Sequence, residues 1–405
     1  MDSPCQDGLS ILCAPNRRRI LALDGGGVRG IITLHALAGL EAFCGRACSE
    51  IFDCFAGTST GAIIAAGLAF GYTVCHLIQL YREQRDQVFS RTLWSYVFGP
   101  LATRYRKAPV RELLQGCFGD CTLEQLGRDI VLTATDTTRG EAIFFTSFWA
   151  FPRSGPAVRV GRYQGLRLSD VVEASMSAPT YFAPTGRFID GGVGVYNNPA
   201  YIAAVEALRY SSDPGSSSRY VSPNCDGVDV FSFGAGAQPN LMKSGQAAGT
   251  GVLGWAKYVI GEGMAEAGRQ QNYVAFHELD QAQAAIRFYR YQLYLADSDP
   301  ARRFIQDKLR VRLPDFPLSR LKLDAIDEER FNFMDDLGHA WGKYLHDRGF
   351  GLTGQPLVTT PYGWDGWERR LARGRGVWCE AGALGPAPAG YPTTLDQELR
   401  TGEFS

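Results

Sequence analysis

Two shapes recur in the pattern of apolar and polar positions along the chain. Arg19-Ile20-Leu21-Ala22-Leu23 is a short apolar run that stops in glycines, and Ile31, Leu34, Leu37, Ala38 and Phe43 follow at helical spacing, so the stretch reads as strand, turn and helix. Ile51 to Ala56 repeats the shape as a buried strand ahead of an apolar helix over Ala62 to Phe70. Asp129 to Thr135 and Val228 to Phe233 are further short apolar strands set among helical stretches. This alternation predicts an α/β fold, a three-layer α/β/α sandwich on a mainly parallel sheet. Asp324 to His346, with Ile326, Phe331, Met334, Leu337, Trp341 and Leu345 near helical spacing, predicts a late helix over the core.

Breaks in the pattern divide the chain into a leader at 1–16, a main domain at 17–350 and a tail at 351–405. Within the domain, the serines and the Asp213-Pro214-Gly215 turn near 211–227 predict a surface loop, and later helices are expected over 250–350. The glycine- and proline-rich tail is expected to hold little regular structure, and its Trp364 to Trp378 stretch, where tryptophan stands beside arginine, suits either a lipid–water interface or a cover over the core. Cys54 to Tyr81 lacks any charged residue and is long enough to cross a bilayer. Gly57, Gly61, Gly67 and Gly71, with the polar residues between them, favour a strand and a core helix there instead.

Of 405 residues, 45% are apolar and 20% charged, which excludes a disordered chain, and the net charge of −1 removes the bulk-charge case for a nucleic-acid polymer. Ten cysteines occur without C-x-x-C, and no apolar signal segment opens the chain, so reduced thiols in the cytoplasm are expected. Cys44/Cys48 and Cys117/Cys121 share C-x3-C spacing, but no histidine accompanies either pair, and neither a metal nor a cofactor is expected.

Gly57-Thr58-Ser59-Thr60-Gly61 is a G-x-S-x-G sequence between a strand and an apolar helix. In that context the glycines permit a tight turn that lifts the Ser59 hydroxyl clear as a nucleophile, with a helix N-terminus behind it. Asp24-Gly25-Gly26-Gly27-Val28-Arg29-Gly30 also joins strand to helix. Gly25, Gly27 and Gly30 satisfy G-x-G-x-x-G, and Glu50 or Asp53 lies where a ribose-binding acid would stand, so a nucleotide- or lipid-binding module is one reading. The other is an oxyanion hole, since such a turn aims free amides at one point. Asp190-Gly191-Gly192 sits at a strand end; alone it would be an ordinary turn. His277, His339 and His346 follow Asp190, leaving a Ser-Asp-His triad open.

With Ala174 to Pro179 before Asp190 and Tyr196-Asn197-Asn198-Pro199 after it, these three motifs resemble, in order and spacing, the patatin-like phospholipase family. Phe288-Tyr289-Arg290-Tyr291-Gln292 and the late helix extend the resemblance to about residues 17–350. The resemblance implies a lipid acyl hydrolase with a Ser59/Asp190 dyad that works without histidine. It also implies Gly25, Gly26 and Gly27 amides for the oxyanion, Arg29 supporting their loop, and Asp24, Gly30, Gly57, Gly61, Gly191 and Gly192 as motif support. A phospholipid membrane surface is the implied partner, met by peripheral docking, with Gly249 to Val274 as a candidate mobile segment. For bacterial members of this size it further implies an antiviral effector switched on by a cyclic nucleotide.

Overall fold

The computed structural model describes residues 17–89, 103–148, 163, 165–207, 227–238, 251, 255, 271, 285–352 and 376–381. At its centre is β1 (Arg17–Leu23), fully buried from Ile20 to Leu23. Successive strand side chains point to opposite faces. Leu21 and Leu23 accordingly join Phe55, Leu132 and Phe231 in one apolar cluster, while Ile20 and Ala22 join Ala56, Val131 and Val230 in another. Both faces being covered, the strands need continuous apolar runs and not alternating ones, which is why they stand out in the sequence.

The other strands are β2 (Cys54–Gly57), β3 (Asp129–Asp136), β4 (Glu141–Thr146), β5 (Phe188–Asp190), β6 (Gly227–Phe233), β7 (Ala285–Leu293) and β8 (Gly376–Ala381). They form one sheet in the order β4-β3-β2-β1-β6-β7-β8, with β5 also on β3. Every pairing is parallel except those of β4 and β5 with β3, so the sheet is mainly parallel. One face carries α1 (Gly30–Cys44), α2 (Thr60–Phe70), α3 (Val74–Val88), α4 (Ala108–Phe118) and α5 (Leu168–Ser175); the other carries α6 (Ala200–Val205). The late helix α7 (Glu328–Asp347) closes the first face, giving the three layers. The 18-residue stretch Gly27–Cys44 is long and apolar enough for a bilayer, yet 72% of it is buried in this core.

Three expectations change. The strand placed at Ile51 to Ala56 begins only at Cys54, because Asp53 bonds Arg19 through both its amide and its carboxylate and fixes where the chain joins β1. The helical reading of 250–350 missed β7, whose residues are buried on both faces of the sheet. The tail is not uniformly irregular, since β8 pairs with β7 from Gly376 to Ala381 and draws the end of the Trp364 to Trp378 stretch onto the sheet. The leader at 1–16, nearly all of the 211–227 loop, most of Gly249 to Val274 and the rest of the tail lie outside the described residues.

Candidate active site

The site forms where two parallel strands end together. Leu23 pairs with Gly57, so the glycine turn after β1 and the Ser59 turn after β2 lie side by side at the carboxyl edge of the sheet. The third motif arrives through β3. Gly57 faces Leu132 and Asp190 faces Ala134 on that strand, while β4 takes its other edge. Strand β5, running antiparallel, therefore ends head-on to the end of β2, and only Thr133 separates the two registers. Thr58 Oγ1 bonds Thr133 Oγ1 at 2.7 Å and donates to the Tyr196 carbonyl at 2.6 Å, which ties the junction together.

Ser59 adopts φ 56° and ψ −125°, a region that costs a non-glycine residue of order 1–3 kcal/mol. The surroundings enforce it. Its amide donates to Ser175 Oγ at 3.1 Å and its carbonyl accepts from Ala62 at 2.9 Å, opening α2. A Cβ at Gly57 would lie 2.3 Å from the Gly61 carbonyl oxygen, and one at Gly61 would lie 2.3 Å from that of Leu23, so the turn closes only with glycine at both positions.

Asp190 is 4% exposed. Its Oδ1 accepts from the Gly192 amide at 2.7 Å, and the carboxylate stands near the Ser59 hydroxyl. Burial pushes its pKa up to about 6 against the opposing pull of the Ser59 hydroxyl and the Gly192 amide. Gly191 passes so close to Thr133 that a Cβ would sit 2.2 Å from its Oγ1.

The glycine loop differs from the expected row of three free amides. Gly25 donates to the Asn197 carbonyl at 3.1 Å, and Gly26 donates to Thr60 Oγ1 at 3.1 Å. An amide already bonded this way is not free for an oxyanion. Among the described residues, the Gly27 amide has no such partner. The loop still abuts the serine, since a Cβ on Gly25 would lie 3.1 Å from that of Ser59. Arg29 is buried, with Nε reaching the Gly26 carbonyl at 3.4 Å, and burial pulls its pKa down to about 10. Gly30 packs on Tyr81, whose hydroxyl donates to the Thr60 carbonyl at 3.3 Å.

The dinucleotide reading fails on position. Asp53 lies before β2, with its carboxylate held by the Arg19 amide at 2.8 Å, and Glu50 lies in the short helix Cys48–Ile51. Both are at the amino end of β2, whereas a bound ribose would stand at the carboxyl end. The triad finds no support among the described residues. His339 packs its ring against His35, and His346 pairs with its neighbour Asp347. His277 lies outside the described residues.

Asp24 shows what the motifs alone missed. Its carboxylate receives a two-pronged contact from Arg290 on β7, at 2.8 Å and 2.6 Å, and Arg290 also donates to Ser232 on β6 at 2.7 Å. The pair is buried, and desolvation raises the Asp24 pKa despite the guanidinium. An arginine inside the aromatic stretch Phe288 to Tyr291 is the signal that could have found it. Arg290→Met leaves a buried carboxylate without this partner, and urea unfolding is expected to show a loss of about 3–5 kcal/mol. A loss under about 1 kcal/mol would mean that the loop does not depend on the pair.

Residues 21–204, from β1 through α6, match the family described as patatin-like phospholipase. The chain is 34% identical over 212 residues to a cGAMP-activated phospholipase of Escherichia coli (strain TW11681), covering 48% of this chain and 56% of that protein. It is 29% identical over 262 residues to a cGAMP-activated phospholipase of Vibrio cholerae, covering 59% and 70%. It is 31% identical over 206 residues to the 85/88 kDa calcium-independent phospholipase A2 of Rattus norvegicus, covering 48% and 24%. The aligned stretch thus spans little more than half of the first of these relatives and a quarter of the last.

Proposed function

From the match of residues 21–204 to the patatin-like phospholipase family, we propose that the chain is a serine lipid acyl hydrolase that cleaves carboxylic esters of membrane phospholipids through Ser59 and Asp190. The observation that carries this reading is the strained Ser59 turn beside the buried Asp190 carboxylate, whose pKa its hydroxyl helps to lower. Ser59 Oγ attacks the ester carbonyl carbon while its proton passes to Asp190. The tetrahedral oxyanion is met by the Gly27 amide in the single turn Gly27–Arg29 that precedes α1, with the Arg29 charge behind it. Collapse expels the alcohol, which takes the proton from Asp190 and leaves an acyl group on Ser59. Water then enters, gives a proton to the same carboxylate as its oxygen attacks the acyl carbon, and collapse returns that proton to Ser59 Oγ as the fatty acid leaves. An aspartate near its ordinary pKa is a poor base at neutral pH, and burial brings this one nearer to the working range.

The substrate lies in a bilayer, so the enzyme works by peripheral docking from the cytoplasm, where cysteines outside disulfides such as Cys48, Cys54 and Cys75 stay reduced. Two of the relatives named above are cGAMP-activated, and we assign the same kind of control here, a cyclic nucleotide that releases activity in an antiviral response. Fatty acid released from mixed phospholipid vesicles, followed by mass spectrometry with and without cGAMP, tests both parts. The expected result is release that rises at least about tenfold with the nucleotide, an activation free energy of ~1.4 kcal/mol or more. Equal release in both arms would remove the control, and no release from any headgroup, together with no labelling of Ser59 by a fluorophosphonate, would remove the enzyme.

A further inference from the structure

Two adjacent asparagines follow the Asp190 turn, and the fold uses them differently. Asn198 is buried, and its Oδ1 is spent on the Ala200 amide at 3.0 Å and the Ser232 hydroxyl at 3.3 Å, which anchors the start of α6. Asn197 is half-buried. Its carbonyl takes the Gly25 amide at 3.1 Å and its Nδ2 donates to the Gly25 carbonyl at 3.4 Å, so the residue is pinned to the glycine loop. Its Oδ1 has no hydrogen-bond donor among the described residues.

Two glycines leave that oxygen uncovered. A Cβ on Gly25 would lie 2.5 Å from Asn197 Oδ1 and 3.1 Å from Ser59 Cβ. A Cβ on Gly192 would lie 2.8 Å from the same Oδ1 and 3.1 Å from Asp190 Oδ1. Asn197 Oδ1 therefore stands between the nucleophile turn and the carboxylate. As an acceptor it can hold neither an oxyanion nor a carboxylate, only a donor such as O–H. While Ser59 is being acylated, the one hydroxyl proton in play is its own, and that proton goes to Asp190. The water that later attacks the acyl-enzyme has two O–H groups and needs two acceptors.

We propose that Asn197 is a further catalytic residue, the one that orients the hydrolytic water against the acyl-enzyme. The proposal rests on the reading of Ser59 as the nucleophile. One water O–H donates to the Asp190 carboxylate and the other to Asn197 Oδ1, which aims a lone pair of the water oxygen at the acyl carbon. As that carbon–oxygen bond forms, the first proton moves to Asp190 and the carbonyl electron pair moves onto its oxygen. On collapse the pair re-forms the carbonyl, the bond to Ser59 Oγ breaks and the proton returns to Oγ. Asn197 only accepts a hydrogen bond, so the proton balance of the dyad is untouched.

The test separates the two half-reactions with p-nitrophenyl butyrate and cGAMP present, on wild type, Asn197→Ala, Asn197→Leu and Asn197→Asp. The stopped-flow burst of nitrophenolate gives acylation, and the decay of the butyryl adduct on Ser59, followed by intact-protein mass spectrometry, gives deacylation. Labelling of Ser59 by a fluorophosphonate identifies the folded protein on which both rates are read. Asn197→Ala and the similarly sized Asn197→Leu should acylate within about threefold of wild type but deacylate at least about tenfold more slowly, so the adduct accumulates. Asn197→Asp keeps an acceptor oxygen, and its ratio of deacylation to acylation at pH 8 should stay within about threefold of wild type. Equal losses in both half-reactions would make Asn197 a support of the glycine loop and overturn its role toward water, as would unchanged deacylation. Slow deacylation in all three variants would place the effect in Nδ2 and overturn the acceptor role. Wild type that neither releases nitrophenolate nor takes the label would overturn the hydrolase reading, and this proposal with it.

Discussion

Replacing Ser59 with alanine is expected to lower kcat for lipid and chromogenic esters by about five to six orders of magnitude. The reason is covalent: among the described residues, no other hydroxyl is placed both at a strained turn and against the Asp190 carboxylate. The loss should come without unfolding, because the Ser59 side chain makes no capping hydrogen bond to α2. Alanine must still hold φ near 56°, whereas glycine holds it without strain. Ser59→Gly should therefore be as inactive as Ser59→Ala but more stable by about 1 kcal/mol in urea unfolding. Stability held for function at this position is the physical content of the turn. Turnover by Ser59→Ala within about tenfold of wild type would place the nucleophile elsewhere.

Asp190→Asn should also remove turnover, by about four orders of magnitude or more, because the amide cannot accept the Ser59 proton. For wild type, kcat/KM should rise about tenfold per pH unit below pH 6 and level off above it, since only the ionised carboxylate is a base and its pKa is about 6. Stability moves the opposite way. The folded-state pKa lies above the ordinary 3.8, so the folded protein prefers the protonated carboxyl. Stability from this group is fully present below about pH 3.8, declines between there and about pH 6, and stays reduced above. A shift of roughly two units corresponds to at most about 3 kcal/mol. Asp190→Asn does not titrate, so it should gain on wild type across that window and remain the more stable protein at pH 8. Melting temperatures of both proteins at pH 4 and pH 8 give the difference directly, with the other titrating groups cancelling. A pH-independent difference would mean that Asp190 is not held in an unfavourable charged state.

Glu206 provides a contrast at the other end of the sheet. Burial alone raises its pKa to about 7, further than Asp190, yet it lies at the end of α6 on the opposite face, away from the serine. A perturbed carboxyl is therefore not by itself a catalytic one; Asp190 is distinguished by what it touches.

Much of this was legible from the chain. Short apolar runs ending in glycine marked β1 and β2 because each side chain there is buried, and helical spacing marked α1 and α7. Ser59 and the glycines were legible too, since a turn that closes to 2.3 Å between backbone atoms and a hypothetical Cβ accepts no other residue at Gly57 or Gly61. Such requirements are local, and a sequence states local requirements directly.

What only the tertiary structure decided is which groups meet and which remain free. The register of β5 on β3 brings Asp190 to the end of β2, and nothing within the Asp190-Gly191-Gly192 triplet encodes that partner. Asn197 and Thr60 occupy the Gly25 and Gly26 amides, so the loop offers fewer free donors than its three glycines imply. Arg290 reaches Asp24 from a strand that follows the family-matched residues. Contacts between distant segments depend on strand order and register, and a carboxyl's pKa depends on the water excluded around it. Both are properties of the assembled sheet, which is why the sequence names the reacting groups and the fold gives them their chemistry.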